Sequence, residues 1–155
     1  MSMSPISAIV EFNNSGVCVR RKMLKVYFAF DSERCELESI ERGCRLWIFT
    51  EIDGQFYVLM ANTIERLVRE ANDAFEKGKV YDVEARQIIV KEASREWIVK
   101  TIVELYSNGY FEDFEPICIG KYKKINGNIA DMKNWNLVYT SQVEEGCYEN
   151  KNRRC

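Results

Sequence analysis

Apolar and polar residues alternate through the opening third of the chain. Ile6, Ala8, Val10 and Phe12 take every second position, Asn13-Asn14-Ser15-Gly16 supplies turn residues, and Val17 and Val19 resume the pattern. That pattern predicts an opening hairpin. Leu24, Val26, Phe28 and Phe30 form a second period-two face, with Lys25 and Tyr27 pointing the other way. Residues 46–52 and 55–60 are rich in β-branched and aromatic side chains and flank Asp53-Gly54, a pair suited to a two-residue turn with positive φ. This turn sets Thr50 opposite Tyr57 and Ile48 opposite Leu59 on one face, and Phe49 opposite Val58 and Trp47 opposite Met60 on the other. Both faces are apolar, so the hairpin is expected inside a sheet that is covered on both sides.

Helical spacing follows. Asn62 can cap a helix whose first turn carries Glu65, and Gly78 offers a left-handed stop. Ile64, Leu67, Val68, Ala71, Ala74 and Phe75 fall on one stripe, with Glu65, Arg66, Arg69, Glu70, Asp73 and Lys77 elsewhere. One face is expected to pack and the other to be solvated. Asp31-Ser32 can start a shorter helix through Ile40, ended by Gly43, and Ser94 caps another that stops at Asn108-Gly109. In the latter, Trp97, Ile98, Thr101, Ile102, Leu105 and Tyr106 form the main stripe, and Arg95, Glu96, Lys100 and Glu104 are expected to be wet. Residues 80–90 are expected to form a strand. A terminal hairpin is expected around Asn126-Gly127, with one arm over residues 117–125 and a second ending in Trp135, Leu137 and Tyr139.

These elements predict an α+β fold, a largely antiparallel β-sheet of about seven or eight strands packed with two main α-helices. Residues 1–140 read as one domain and 141–155 as a polar, flexible C-terminal tail. The strands before Asn62 and the long helix after it are similar in element order to the ββββα units of PUR-like and Whirly-like single-strand-binding folds. No residue motif accompanies that order.

Composition adds limits. The chain has 155 residues and a formal net charge of −2, so a nucleic-acid partner would be held by local basic clusters and not by a global positive field. No segment approaches the roughly 20 consecutive apolar residues that cross a bilayer, and no apolar signal core opens the chain, which predicts a cytoplasmic protein with no membrane partner. Six cysteines occur, none in C-x-x-C spacing. Cys18 and Cys118 are expected as small core residues in strands, and Cys147 and Cys155 as exposed, functionless thiols of the polar tail, the alternative being an oxidation-sensitive or intermolecularly pairing terminus.

The chain contains no histidine, which removes the commonest general base and metal ligand, together with every Ser-His or Cys-His nucleophile arrangement. No phosphate loop, dinucleotide-binding turn or nucleophile elbow occurs. No cofactor and no metal site are expected, and the balance leans away from an enzyme. Residues of the segment Phe111, Glu112, Asp113, Phe114 and Glu115 set two aromatics beside three carboxylates, a surface able to dock a basic protein. The same segment also suits an ordinary connection whose aromatics fold back into the core. Two basic clusters, Arg20, Arg21, Lys22, Lys25 and Tyr27 and then Lys121, Tyr122, Lys123 and Lys124, interleave cations with rings as a single-stranded nucleic-acid binder does. They equally suit the charged strand ends that discourage edge-to-edge pairing. The function expected is stoichiometric binding of another macromolecule without catalysis, as an inhibitor or immunity-type factor does, with single-stranded nucleic-acid binding as the alternative.

Overall fold

The computed structural model describes residues 9–12 and 18–146, with side chains from 22 to 141. It contains strands β1 (Ile9–Phe12), β2 (Cys18–Ala29), β3 (Cys44–Ile52), β4 (Gln55–Asn62), β5 (Gln87–Ile89) and β6 (Trp135–Gly146). The helices are α1 (Glu33–Arg42), α2 (Ile64–Glu76), α3 (Arg95–Ser107) and α4 (Ile119–Asn126). The class is α+β. The sheet is mixed, because β4 and β5 run parallel while the other pairs are antiparallel. Its order is β6-β2-β3-β4-β5, with β1 beside the first half of β2 on the edge that β3 takes further along. The expected seven or eight antiparallel strands and two main helices are corrected accordingly, and α1 interrupts the run of strands that resembled a ββββα unit.

Three local expectations fail for identifiable reasons. First, β2 is one continuous strand of 12 residues. No Gly, Pro, Asn or Asp interrupts 18–29, so nothing turns the chain between the segments read as separate strands. The turn at 13–16 lies outside the described residues. Second, the strand over 80–90 shrinks to β5. Only Gln87, Ile88 and Ile89 pair, with Met60, Ala61 and Asn62, and Val80 and Val83 face water. Third, residues 117–125 do not form a hairpin arm. They enter α4, with a single bridge between Phe56 and Ile117 in place of a strand. Ile119, Tyr122 and Asn126 fall on one helical face, and Gly127 at φ +63 ends the helix. Asn-Gly supplies a helix stop as readily as a hairpin turn, because both need positive φ. The second arm does form a strand, β6, but it pairs with β2 and continues through Gly146, so residues 141–146 belong to the sheet.

The central hairpin matches its expected register at Ile48–Leu59, Phe49–Val58 and Thr50–Tyr57, around a turn with Asp53 at φ +51 and Gly54 at φ +83. Trp47 does not face Met60. One extra residue on β3 between Arg45 and Ile48 makes a bulge, where Trp47 sits at φ +59, a conformation costing a bulky L-residue about 1–2 kcal/mol. The extra residue reverses the alternation, so Arg45 points to the face of Ile48 and not to that of Phe49. Its guanidinium lies 4.4 Å from the Phe28 ring centroid.

Cover comes from both sides, as the two apolar faces require. Leu24, Val26, Phe28, Ile48 and Leu59 pack against Ile98, Ile102 and Phe111, which α3 and the turn after it supply. On the opposite face Phe49 and Val58 are covered by Tyr122, Ile129 and Trp135. Phe49 stacks on Trp135 at 4.0 Å between centroids and meets the Tyr122 ring edge-on at 6.2 Å. Cys118 is exposed at the start of α4, not buried in a strand. The side chain of Cys18, and Cys147 and Cys155 altogether, lie outside the described residues.

The cap of α2 is Thr63. Its Oγ1 accepts from the Arg66 N–H at 3.2 Å, and its own N–H donates to Gly43 O at 2.9 Å. Asn62 is instead the last residue of β4, 1% exposed, and its carbonyl accepts from Val90. The chain enters the helix one residue later than expected because Asn62 is held by the ladder. Thr63→Ala is expected to destabilise the fold by about 0.5–2 kcal/mol; a urea midpoint equal to wild type would contradict the assignment of this cap.

Candidate functional site

Residues 110–115 lead directly out of α3 after Asn108 and Gly109, the latter at φ +80. Tyr110–Asp113 form a 3-10 turn. This turn folds Phe111 into the core, 5% exposed and 5.2 Å from the Tyr57 ring, while Phe114 packs edge-on to Tyr110 at 4.8 Å. Glu112, Asp113 and Glu115 are exposed. The segment therefore presents carboxylates, with its aromatics turned inward.

The basic clusters are divided by the fold. Lys22 and Lys25 lie three apart on β2 and point to opposite faces of the sheet. Backbone register sets Arg20 opposite Glu145 and Arg21 opposite Glu144 of β6. Tyr27 donates its hydroxyl to Glu51 at 2.9 Å and tilts against Trp135 at 5.4 Å. Burial pushes its hydroxyl pKa far up, and the bond to Glu51 and the charge of that carboxylate add to the shift. On α4, Lys121, Lys123 and Lys124 are exposed, whereas Tyr122 turns inward to Phe49 and Trp47. Lys123 Nζ lies 3.5 Å from the Asp131 carboxylate. Both tyrosines are thus engaged in the aromatic layer that covers the second face of the sheet.

An ion-pair hub, illegible in the sequence, ties four elements together. The Asp31 carboxylate is fully buried and accepts from Arg45 Nη2 at 2.8 Å, Arg95 Nε at 2.9 Å, Arg95 Nη2 at 3.0 Å and Asn136 Nδ2 at 2.9 Å. Burial alone would raise its pKa, but the hydrogen bonds from Arg95, Asn136 and Arg45, with the charge of Arg45, outweigh it and hold the pKa below the usual carboxylate value. Arg95, expected to be wet, is drawn in; its backbone N–H also donates to Glu36 at 2.9 Å. With its lone pairs occupied and its pKa low, Asp31 is a structural anchor and not a general base.

Helix α2 departs most from its expected orientation. Arg66 donates to Glu70 and to Arg42 O, and Glu70 accepts from the Tyr81 hydroxyl at 3.1 Å. These bonds tie the Arg66–Glu70 side of the helix to the body of the protein and fix its rotation. The apolar stripe consequently splits. Leu67, Ala71 and Ala74 are half-buried, but Ile64, Val68 and Phe75 are 56%, 53% and 60% exposed. No residue of α2 is fully buried. Ile64, Val68 and Phe75 are spaced four and seven apart along one outward line, a spacing by which an amphipathic helix fills an apolar groove.

Among the described residues no group of three or more Cys, Asp or Glu side chains converges as metal ligands do, and no helix is long and apolar enough to cross a membrane. Comparison with protein-family models, with curated proteins and with solved structures returns no match.

Proposed function

We propose that the protein acts by stoichiometric, non-catalytic binding to a partner protein, and that the outward face of α2 is its contact surface. The supporting observation is the exposure of Ile64, Val68 and Phe75 on a well-capped helix that is held by its polar side. Other apolar side chains are exposed too, among them Leu37, Val80, Val83 and Ile125, but Ile64, Val68 and Phe75 line up on one face of one helix, and a contiguous apolar line of that kind suits an interaction surface. Its spacing suits a partner with an apolar groove, and on this reading the protein would act as an inhibitor or immunity-type factor by occupying that groove. The carboxylates of Glu112, Asp113 and Glu115 would steer a partner with basic character. Free thiols at Cys35, Cys44 and Cys118 accord with a cytoplasmic setting.

Nucleic-acid binding has less support. Tyr27 and Tyr122 are committed to the aromatic layer, so Lys121 and Lys124 would offer phosphate contacts without stacking platforms.

Val68→Glu distinguishes docking from folding. The substitution places a carboxylate at a half-exposed site and is expected to change stability by no more than about 0.5 kcal/mol. A partner captured from native lysate after nuclease treatment should be lost with Val68→Glu and retained with Arg69→Gln on the polar side of the helix. Undiminished capture by Val68→Glu, or no partner across a range of salt, would reject the proposal.

A further inference from the structure

The bends that build the Asp31 hub also open a cavity. Two bulky residues, Phe30 at φ +51 and Trp47 at φ +59, adopt left-handed conformations immediately before Asp31 and within the Arg45 bulge. Both line one cavity of about 350 Å³ between α1 and β3, beside the first turn of α2. This volume lies within the range of small-molecule sites, roughly 300–1,000 Å³. Backbone geometry accounts for the positive φ at Phe30 but not for its ring. Glycine would meet that conformation without strain, and a phenyl group that is 50% exposed contributes little to the core.

Charge separates this cavity from the rest of an acidic chain. Arg42, Arg45 and Arg66 line it, and the one carboxylate in its wall, Glu38, is paired with Arg34 at 3.0 Å. Arg45 is engaged by Asp31 and Arg66 by Glu70. Among the described residues Arg42 has no carboxylate partner, and its guanidinium is the cation left to meet a ligand. Its own carbonyl, at the negative end of α1, is already capped by Arg66 Nη1 at 3.2 Å.

We propose that this cavity binds a small aromatic anion, a flat ring joined directly or through a short spacer to one carboxylate or phosphate group, with the ring against Phe30 and Trp47 and the anionic group on Arg42. Guanidinium recognises both anions through charge-assisted hydrogen bonds, and aromatic walls accept a flat ring by stacking. The proposal stands independently of the α2 surface, because none of its contacts involves the outward line of that helix.

Calorimetric titration of the full chain decides it. Adenosine monophosphate and indole-3-acetate serve as the phosphate and carboxylate probes; adenosine, indole and inorganic phosphate are their fragments. At least one probe should bind about tenfold or more tightly than its own fragments, and the stronger probe identifies the anion. Arg42→Gln should weaken that binding at least about tenfold, whereas Arg69→Gln should leave it within about twofold. Phe30→Gly should weaken binding while leaving the urea midpoint unchanged or raised, an effect that a ring kept for folding would not produce. The site is refuted if neither probe binds more tightly than its fragments, or if binding survives both Arg42→Gln and Phe30→Gly.

Discussion

Replacing Asp31 with Asn is expected to cost about 3–5 kcal/mol of folding stability, because it leaves Arg45 buried without its counter-charge and Arg95 with only the exposed Glu33. The loss should be large because one carboxylate joins the segment before α1 to β3, α3 and the start of β6. At roughly 2–4 °C per kcal/mol for a chain of this size, Tm should fall by about 6–20 °C. The pH dependence has a defined sign. The folded-state pKa of Asp31 is lower than its unfolded value, so its contribution is complete above the unfolded value and is lost as pH falls through the folded one. The stability gap between wild type and Asp31→Asn should therefore hold constant from neutral pH to about pH 5 and close as the solution becomes more acidic. A gap below about 1 kcal/mol at neutral pH would show that the hub contributes no more than an exposed pair.

Phe49→Ala should be comparably damaging on the other face of the sheet. Phe49 is fully buried between Trp135, on which it stacks, and the edge of Tyr122, and truncating such a residue costs about 3–5 kcal/mol through lost burial and the cavity left behind. Phe75→Ala on α2 provides the contrast. With its ring 60% exposed, its loss should change stability by about 0.5 kcal/mol or less. Paired urea denaturation of the two variants thus measures how much each ring is buried in solution. A large effect at Phe75 would mean that the whole apolar stripe of α2, Phe75 included, packs against the fold, as the periodicity alone predicts.

Legibility followed the range of each interaction. The Asp53-Gly54 hairpin, α1 between Ser32 and Gly43, and α3 between Ser94 and Asn108 were readable because their signals lie within a few residues. The Asn126-Gly127 pair misleads: it predicts a hairpin, but its positive φ serves a helix stop equally well, and α4 ends there. Helical spacing at Ile119 and Tyr122 was the available clue that a helix, not a strand, preceded it. The apolar stripe of α2 was legible, but its direction was not: rotation depends on Arg66 reaching Arg42 O and Glu70 reaching Tyr81. Asp31, Arg45, Arg95 and Asn136 are widely separated in sequence, and the bulge that turns Arg45 inward leaves no local signature. The clustered charges of residues 20–25, 112–115 and 121–124 were obvious, yet clustering along the chain said nothing of how strand alternation and helix rotation would separate them from their aromatic neighbours.

The most direct test of the proposed interaction is amide hydrogen exchange on the captured complex. Exchange should slow across residues 64–76 on partner binding and remain unchanged across residues 119–126. Slower exchange confined to 119–126, with α2 unaffected, would contradict the account and move the contact surface to the lysines of α4.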